Sequence, residues 1–395
     1  MRPVPVDGSP RATARLADAL AAALDGTGPA VVPVARGTAA PAAGPGPAGE
    51  PAPGTAVVIA TSGSTGRPKH VMLPASALVA SARATEHRLG GPARWLLALP
   101  AEHVAGVQVI VRAVLAGAPP LTQDLRDGFR PADFAAATAR LPGPAARRCT
   151  SLVPTQLLRL LDADGAPLEA LRSYDAVLVG GAALDAELRA RAADAGVSVV
   201  ATYGMSETSG GCVYDGVPLD GVRVRLETDG RILLGGPTLA SGYLGDVDET
   251  AAAFVNGWFR TGDLGRWDDT RLTVLGRADD MIVTGGSNIA PAAVERVLTA
   301  QPGVVAACVV GLPDPQWGEI VGAALVLTGP AEPERLRAAV RADLGRAAVP
   351  RRIRVLPELP LRGIGKPDRA IVRALLGAAT GASDTGSEDA TDPNR

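Results

Sequence analysis

Apolar and polar positions follow two periods along this chain. Residues 11–24 (RATARLADALAAAL) place Leu16, Leu20 and Leu24 on one stripe, which predicts an amphipathic helix. Residues 56–63 (AVVIATSG), 95–100 (WLLALP), 174–181 (YDAVLVGG) and 198–204 (SVVATYG) are short apolar runs that predict buried strands. Helical spacing lies between them at 151–162 (SLVPTQLLRLLD) and 184–195 (LDAELRARAADA). Strand–helix alternation of this kind predicts an α/β core around a parallel sheet. From about 221 to 275 the texture changes to short β-like pieces (VRVRLE, RILLGG, LTVLG), a small antiparallel subdomain. Residues 279–375 predict a compact α+β unit. It has a helix at PAAVERVLTA with Pro near its first turn, strands at AACVVGLP and GAALVLTG, and a helix at EPERLRAAVRADLG. The predicted organisation is a large N-terminal domain over 1–278 and a C-terminal domain over 279–375. Segment 37–54, rich in Pro, Gly and Ala, predicts an extended connection, and the small, polar, acidic residues 376–395 predict a disordered tail.

Composition narrows the function classes. With 47% hydrophobic and 20% charged residues the chain is globular, and a net charge of −2 offers no basic face for nucleic acid. No apolar run approaches the ~18 residues of a membrane span, and the first twenty residues lack the uninterrupted apolar core of a signal peptide. Cys149, Cys212 and Cys308 are widely spaced, which argues against a disulfide scaffold or a zinc site and suits a reducing cytosol. The expectation is a cytoplasmic protein, with a homo-oligomer left open.

Lysine is the anomaly. Of 39 basic residues only Lys69 and Lys366 are lysine, and both sit in glycine-containing segments. The first, TSGSTGRPKH (61–70), follows a predicted buried strand. Gly63 and Gly66 let backbone amides close on phosphate oxygens, while Thr61, Ser62, Ser64, Thr65 and Lys69 supply further donors. No Ser or Thr follows Lys69, so the spacing is not that of a Walker loop.

TSGSTGRPKH resembles the phosphate-binding loop of adenylate-forming enzymes, the superfamily of acyl- and aryl-CoA ligases, peptide-synthetase adenylation domains and luciferases. Four further segments match that superfamily in order. TYGMSET (202–208) resembles its adenine and magnesium segment, RTGDLGR (260–266) its ribose motif, GRADDMIVTGGSNIAP (276–291) its hinge and glycine loop, and LRGIGKPDR its catalytic-lysine segment. The resemblance covers about residues 55–375. It implies ATP and Mg2+ as cofactors and coenzyme A as co-substrate.

By residue, the resemblance implies that Thr208 and the loop hydroxyls hold phosphate and that Glu207, a hard oxygen ligand, holds magnesium. Gly181, Ala182, Tyr203 and Gly204 would meet the adenine, and Asp263 and Arg277 the ribose. Lys366 would meet the charge that builds when a carboxylate attacks the α-phosphate, as a compact point donor where arginine's rigid fork need not fit. A C-terminal domain that rotates about Asp279 would bring Gly285 and Gly286 to the thiol tunnel, where absent side chains allow close passage. Two departures stand out: only about sixty residues precede the phosphate loop, and Ser287 stands where the glycine loop often carries an acidic residue.

LPAEHVAG (99–106) resembles the acyl-pocket segment, with His103 as its candidate catalytic or pocket residue. Ser209, Gly210 and Gly211 would leave a flat slot for an aryl group. No acidic residue is available at the assignable pocket positions to hold an α-ammonium, which counts against an amino acid. The expected substrate is therefore a small-molecule aryl carboxylic acid. Two other readings differ in what they require. A stand-alone adenylation enzyme would load a carrier protein, and a non-catalytic nucleotide-binding regulator would tolerate a decayed lysine, hinge or loop, all of which are intact here.

Overall fold

The structure is a computed structural model that describes residues 1–38, 49–61, 68–143, 146–329, 332–362 and 366–378. It divides into two compact units, with the main boundary between Ala278 and Asp279.

The first unit is built on two large sheets with helices between them. One sheet has five strands in the order Arg2–Val6, Val31–Ala35, Thr55–Thr61, Lys69–Pro74, Gly242–Tyr243. Its first three strands run parallel, and Lys69–Pro74 returns antiparallel to Thr55–Thr61. The other has seven strands, in the order Val217–Pro218, Gly210–Tyr214, Val199–Met205, Ala176–Val179, Arg148–Leu152, Arg94–Leu97, Leu121–Thr122. The run from Val199–Met205 to Leu121–Thr122 is parallel, and Gly210–Tyr214 folds back antiparallel on Val199–Met205.

Side-chain alternation explains why these strands read as unbroken apolar runs. Trp95 and Leu97 point into a core shared with the helices Pro10–Leu24, Ala75–Arg88 and Val104–Leu115 and with the five-stranded sheet. Leu96 and Ala98 point to the opposite face, into a second core with Phe134, Leu157 and Leu171. Both faces are buried, so both parities must be apolar. Ser9 starts the first helix: its hydroxyl accepts from the Ala12 amide, with Pro10 at the first turn.

The antiparallel subdomain is a five-stranded sheet in which Trp258–Asp268 pairs with Arg231–Gly235, Phe254–Val255 and Arg271–Arg277. The second unit packs the helices Pro291–Thr299 and Pro333–Leu344 on one face of a sheet dominated by the hairpin Val304–Asp314 with Gly318–Leu327, and Arg369–Gly377 on the other.

Two boundaries differ from the sequence expectation. The helix expected over 151–162 starts at Pro154, because Arg148–Leu152 continues as a central strand and proline suits a helix's first turn. The tail expected from 376 begins inside a helix, since Leu376 is 2% exposed and packs with Cys308, Val310 and Val372. The rest of the expected tail and most of the expected extended connection, residues 39–48, lie outside the described residues.

Candidate active site

In open α/β sheets ligands gather beyond the carboxyl ends of the parallel strands, and several of the first unit's candidates lie on segments that leave those ends. Ala176–Val179 runs into Gly180 and Gly181, and its neighbour Val199–Met205 runs into the short turn Ser206–Thr208. Glycine is needed where these ends crowd. A Cβ on Gly180 would lie 2.3 Å from Thr202 Oγ1, and one on Gly204 would lie 2.1 Å from the Gly210 carbonyl oxygen.

Three candidates form one cluster. The Tyr203 hydroxyl donates to Asp263 Oδ2 at 2.8 Å. Arg277 Nη1 lies 3.7 Å from Asp263 Oδ1, and the two residues face each other across paired strands. The Arg277 guanidinium packs over Gly262, where a Cβ would sit 2.6 Å from its carbon. Burial, together with the Asp263 charge, pushes the Tyr203 phenol well above its ordinary range, so it stays a donor. The carboxylate is thus oriented from two sides.

A second cluster surrounds Glu207. Its Oε1 accepts from the Tyr243 hydroxyl at 3.0 Å. Burial raises its pKa, against the lowering effects of Tyr243, Lys69 and Arg277. Lys69 Nζ lies 5.0 Å from the centre of the Tyr243 ring and donates to Glu249 Oε1. Glu249 is on the helix Val247–Ala253, which Asp246 caps through the Glu249 amide at 2.9 Å. Tyr243 and Glu249 were absent from the sequence candidates. The available signal was their position in SGYLGDVDET, whose acidic residues read as the capped start of a helix.

Thr208, which the resemblance assigns to phosphate, is buried, as are Ser209 and Gly210 beside it. Its hydroxyl accepts from the Met205 amide at 3.0 Å and donates to the Gly210 carbonyl at 2.8 Å. It braces the turn. Behind that turn, the left-handed Ser209 (φ 54°) presents its carbonyl to Gln108 Nε2 at 2.7 Å and to the Ser81 hydroxyl at 3.2 Å. A Cβ on Gly210 would meet the Gln108 side chain at 3.2 Å, so Gln108 backs the slot expected at Ser209, Gly210 and Gly211. His103 is exposed at the entry to the helix Val104–Leu115, and Gly106 in its first turn packs so close to Pro100 that a Cβ would lie 2.2 Å from the carbonyl oxygen.

Ser62, Gly63, Ser64, Thr65 and Gly66 lie outside the described residues; Thr61 and Lys69 flank them on paired strands. In the second unit, Asp279 is in the turn Ala278–Asp280, and Gly285 (φ 55°) donates its amide to the Trp317 carbonyl at 3.0 Å. A Cβ on Gly285 would strike the Trp317 ring at 2.6 Å, while Gly286 (φ 80°) has open space. Lys366 begins the strand residues Lys366–Pro367. Burial pushes Cys149, Cys212 and Cys308 up to about 12, which leaves them as inert thiols. Among the described residues no three His, Cys, Asp or Glu side chains group as a metal cage, and no helix is long and apolar enough to cross a membrane.

Comparison with known proteins gives a consistent result. The "AMP-binding enzyme" profile matches residues 26–244 and the "AMP-binding enzyme C-terminal domain" profile residues 293–366. A probable 2-succinylbenzoate–CoA ligase of Mycobacterium tuberculosis (strain ATCC 25618 / H37Rv) is 47% identical over 375 residues, covering 93% of this chain and 97% of that one. A 2-succinylbenzoate–CoA ligase of Bacillus cereus (strain Q1) is 33% identical over 81% of this chain and 70% of its own. Among solved structures, o-succinylbenzoate CoA synthetase from Bacillus subtilis with its acyl-adenylate intermediate superimposes with a TM-score of 0.71 at 31% identity, over 81% of this chain and 69% of that one. An amide bond synthetase from Marinactinospora thermotolerans superimposes with a TM-score of 0.74 at 30% identity, over 88% and 75%. With one profile spanning more than half of its length and a second matching residues 293–366, the chain belongs to the AMP-binding enzyme family.

Proposed function

We propose that this protein is an AMP-forming acid–thiol ligase that activates o-succinylbenzoate with ATP and transfers the acyl group to coenzyme A, giving o-succinylbenzoyl-CoA for menaquinone biosynthesis. The observation that carries this reading is the likeness to the mycobacterial ligase over nearly the full length of both chains. The two side-chain clusters supply the chemistry it needs.

In the first half-reaction the acid's carboxylate attacks the α-phosphate and expels pyrophosphate. Tyr203 and Gly204, with Gly181 and Ala182, border the adenine. Asp263, already oriented by Tyr203 and Arg277, accepts from the ribose hydroxyls. Lys69 and the loop 61–66 hold the phosphate chain. Glu207 fits a magnesium site: it is a partly buried carboxylate whose charge burial penalises and a cation would relieve, with one oxygen fixed by a hydroxyl, and magnesium typically takes one or two carboxylates and fills its shell with phosphate oxygens and water. When bound there, the ion would neutralise charge on the phosphate chain. Lys366 meets the charge that develops at the α-phosphate.

In the second half-reaction the thiol attacks the acyl carbonyl and AMP leaves. Rotation of the C-terminal domain about Asp279 withdraws Lys366 and presents Gly285 and Gly286 to the thiol. His103 and the slot at Ser209, Gly210 and Gly211 receive the acid, with Gln108 behind them. The decisive experiment is product detection by mass spectrometry with ATP, Mg2+, a panel of carboxylic acids and three acceptors: CoA, a carrier-protein thiol and a simple amine. A selective o-succinylbenzoyl-CoA signal with AMP and pyrophosphate is expected. Amide product instead would favour the chemistry named for the Marinactinospora relative.

A further inference from the structure

We propose that Tyr243 is a positioning residue that serves both charged parts of the nucleotide site at once, with Glu249 as the counter-ion that seats Lys69 on it. The proposal rests on the reading that Glu207 holds the metal and Lys69 the phosphates. Four observations place Tyr243 between those two groups. Its hydroxyl donates to Glu207 Oε1 at 3.0 Å. Its ring lies 5.0 Å below the Lys69 ammonium. Its amide donates to Thr250 Oγ1 at 2.9 Å, one residue from Glu249, so ring and counter-ion are held by the same helix. And it is 5% exposed, so its ring and hydroxyl are held in place by packing, while the Lys69 side chain above it stays partly exposed.

Each contact has a distinct job. A hydroxyl donated to one carboxylate oxygen fixes the plane of Glu207 and leaves the other oxygen directed at a cation, as the outer partners of metal-bound carboxylates do. An aromatic face below an ammonium holds it electrostatically without using its N–H donors, which stay available for phosphate oxygens. Glu249 satisfies the ammonium without a phosphate. It also explains why an arginine would fit poorly at 69: a planar guanidinium would pair bidentately with Glu249 and be harder to release.

Two variants separate the two jobs. Tyr243→Phe keeps the ring and removes the hydroxyl, and Tyr243→Leu removes both. ATP binding is measured by calorimetry in EDTA, and metal binding by Mn2+ electron paramagnetic resonance on the ATP-loaded protein, with Glu207→Gln as control. Tyr243→Phe is expected to weaken Mn2+ about tenfold while metal-free ATP affinity stays within about twofold of wild type. Tyr243→Leu is expected to weaken metal-free ATP binding about fivefold as well.

Unchanged Mn2+ affinity in Tyr243→Phe, with Glu207→Gln strongly impaired, overturns the orienting role. Equal metal-free ATP affinity in Tyr243→Phe, Tyr243→Leu and wild type overturns the seating role. If Glu207→Gln binds Mn2+ like wild type, the metal reading fails, and with it the orienting half of the proposal; the two ATP titrations still decide the seating half. A loss of ATP and Mn2+ binding together in Tyr243→Phe would mark the residue as merely structural and overturn both halves.

Discussion

At the scale of single residues, Glu207 sets function against stability. Burial raises its pKa in the fold, so the ionised form is penalised there. A raised folded-state pKa means the folded state binds the proton more tightly than the unfolded chain does. The stability cost is therefore present above that pKa and vanishes as pH falls through it. Glu207→Gln should raise the melting temperature of the ligand-free protein near pH 8, and the advantage should shrink toward acid; a variant no more stable at pH 8 would contradict the burial argument. The same change should lower the rate of adenylate formation about hundredfold or more, measured by pyrophosphate release, because the amide is a poor ligand for magnesium. The side chains gathered around Glu207 and Lys69 were only half legible in the sequence. Lys69 stood out because lysine is so scarce. Tyr243 and Glu249 did not, because an aromatic after Gly242 and an acid in a helix's first turn are what packing and capping alone would supply.

Among elements, what the sequence showed was periodicity, and what it hid was crowding. The central strands were legible because both parities are apolar, and the antiparallel pieces because they are short and turn-bounded. Arg148–Leu152 was hidden by its polar letters: Thr150 and Ser151 are buried in the sheet, with the Thr150 hydroxyl donating to the Leu96 carbonyl at 3.0 Å. Gly204 and Gly262 look alike in the motifs, yet their neighbours differ. A Cβ on Gly204 meets backbone, the Gly210 carbonyl oxygen at 2.1 Å and Gly211 Cα at 2.7 Å, where the strands Val199–Met205 and Gly210–Tyr214 pair. One on Gly262 meets the Arg277 guanidinium, the far end of a flexible side chain. Gly204→Ala should therefore destabilise the protein by about 1–3 kcal/mol in urea unfolding, as overpacking does. Gly262→Ala should change stability by less than about 0.5 kcal/mol. It should instead displace Arg277 and raise KM for ATP about tenfold, the worth of a charge-assisted hydrogen bond. Equal stability losses in the two variants would sink the distinction.

On the scale of the whole molecule, the two-part division was legible from texture, while the contacts that close the second unit on itself were not. Arg369 reaches Glu295 Oε1 at 2.6 Å, Asp280 Oδ2 at 3.3 Å and the Val309 carbonyl at 2.6 Å. It joins the residue after Asp279 to the helix that follows Lys366. Arg369→Ala leaves Glu295 without its cation. The pair is partly exposed, so a loss of about 2–3 kcal/mol is expected, below the cost of a fully buried pair, seen as faster hydrogen exchange in Val304–Asp314. Lys366 itself is the sharper test, because the chain supplies its own control. With 37 arginines against two lysines, arginine is the tolerated cation almost everywhere. If position 366 needed only positive charge, Lys366→Arg should work. If it needs a compact donor on a flexible stem that meets the α-phosphate only while adenylate forms, Lys366→Arg and Lys366→Ala should both lose about a hundredfold or more in pyrophosphate release. Both should still convert supplied o-succinylbenzoyl-adenylate and CoA to thioester within about twofold of wild type, since the lysine has by then withdrawn. An active Lys366→Arg would return the retained lysine to chance, and a matching loss in the thioester step would mean that the two half-reactions share one arrangement of the C-terminal domain.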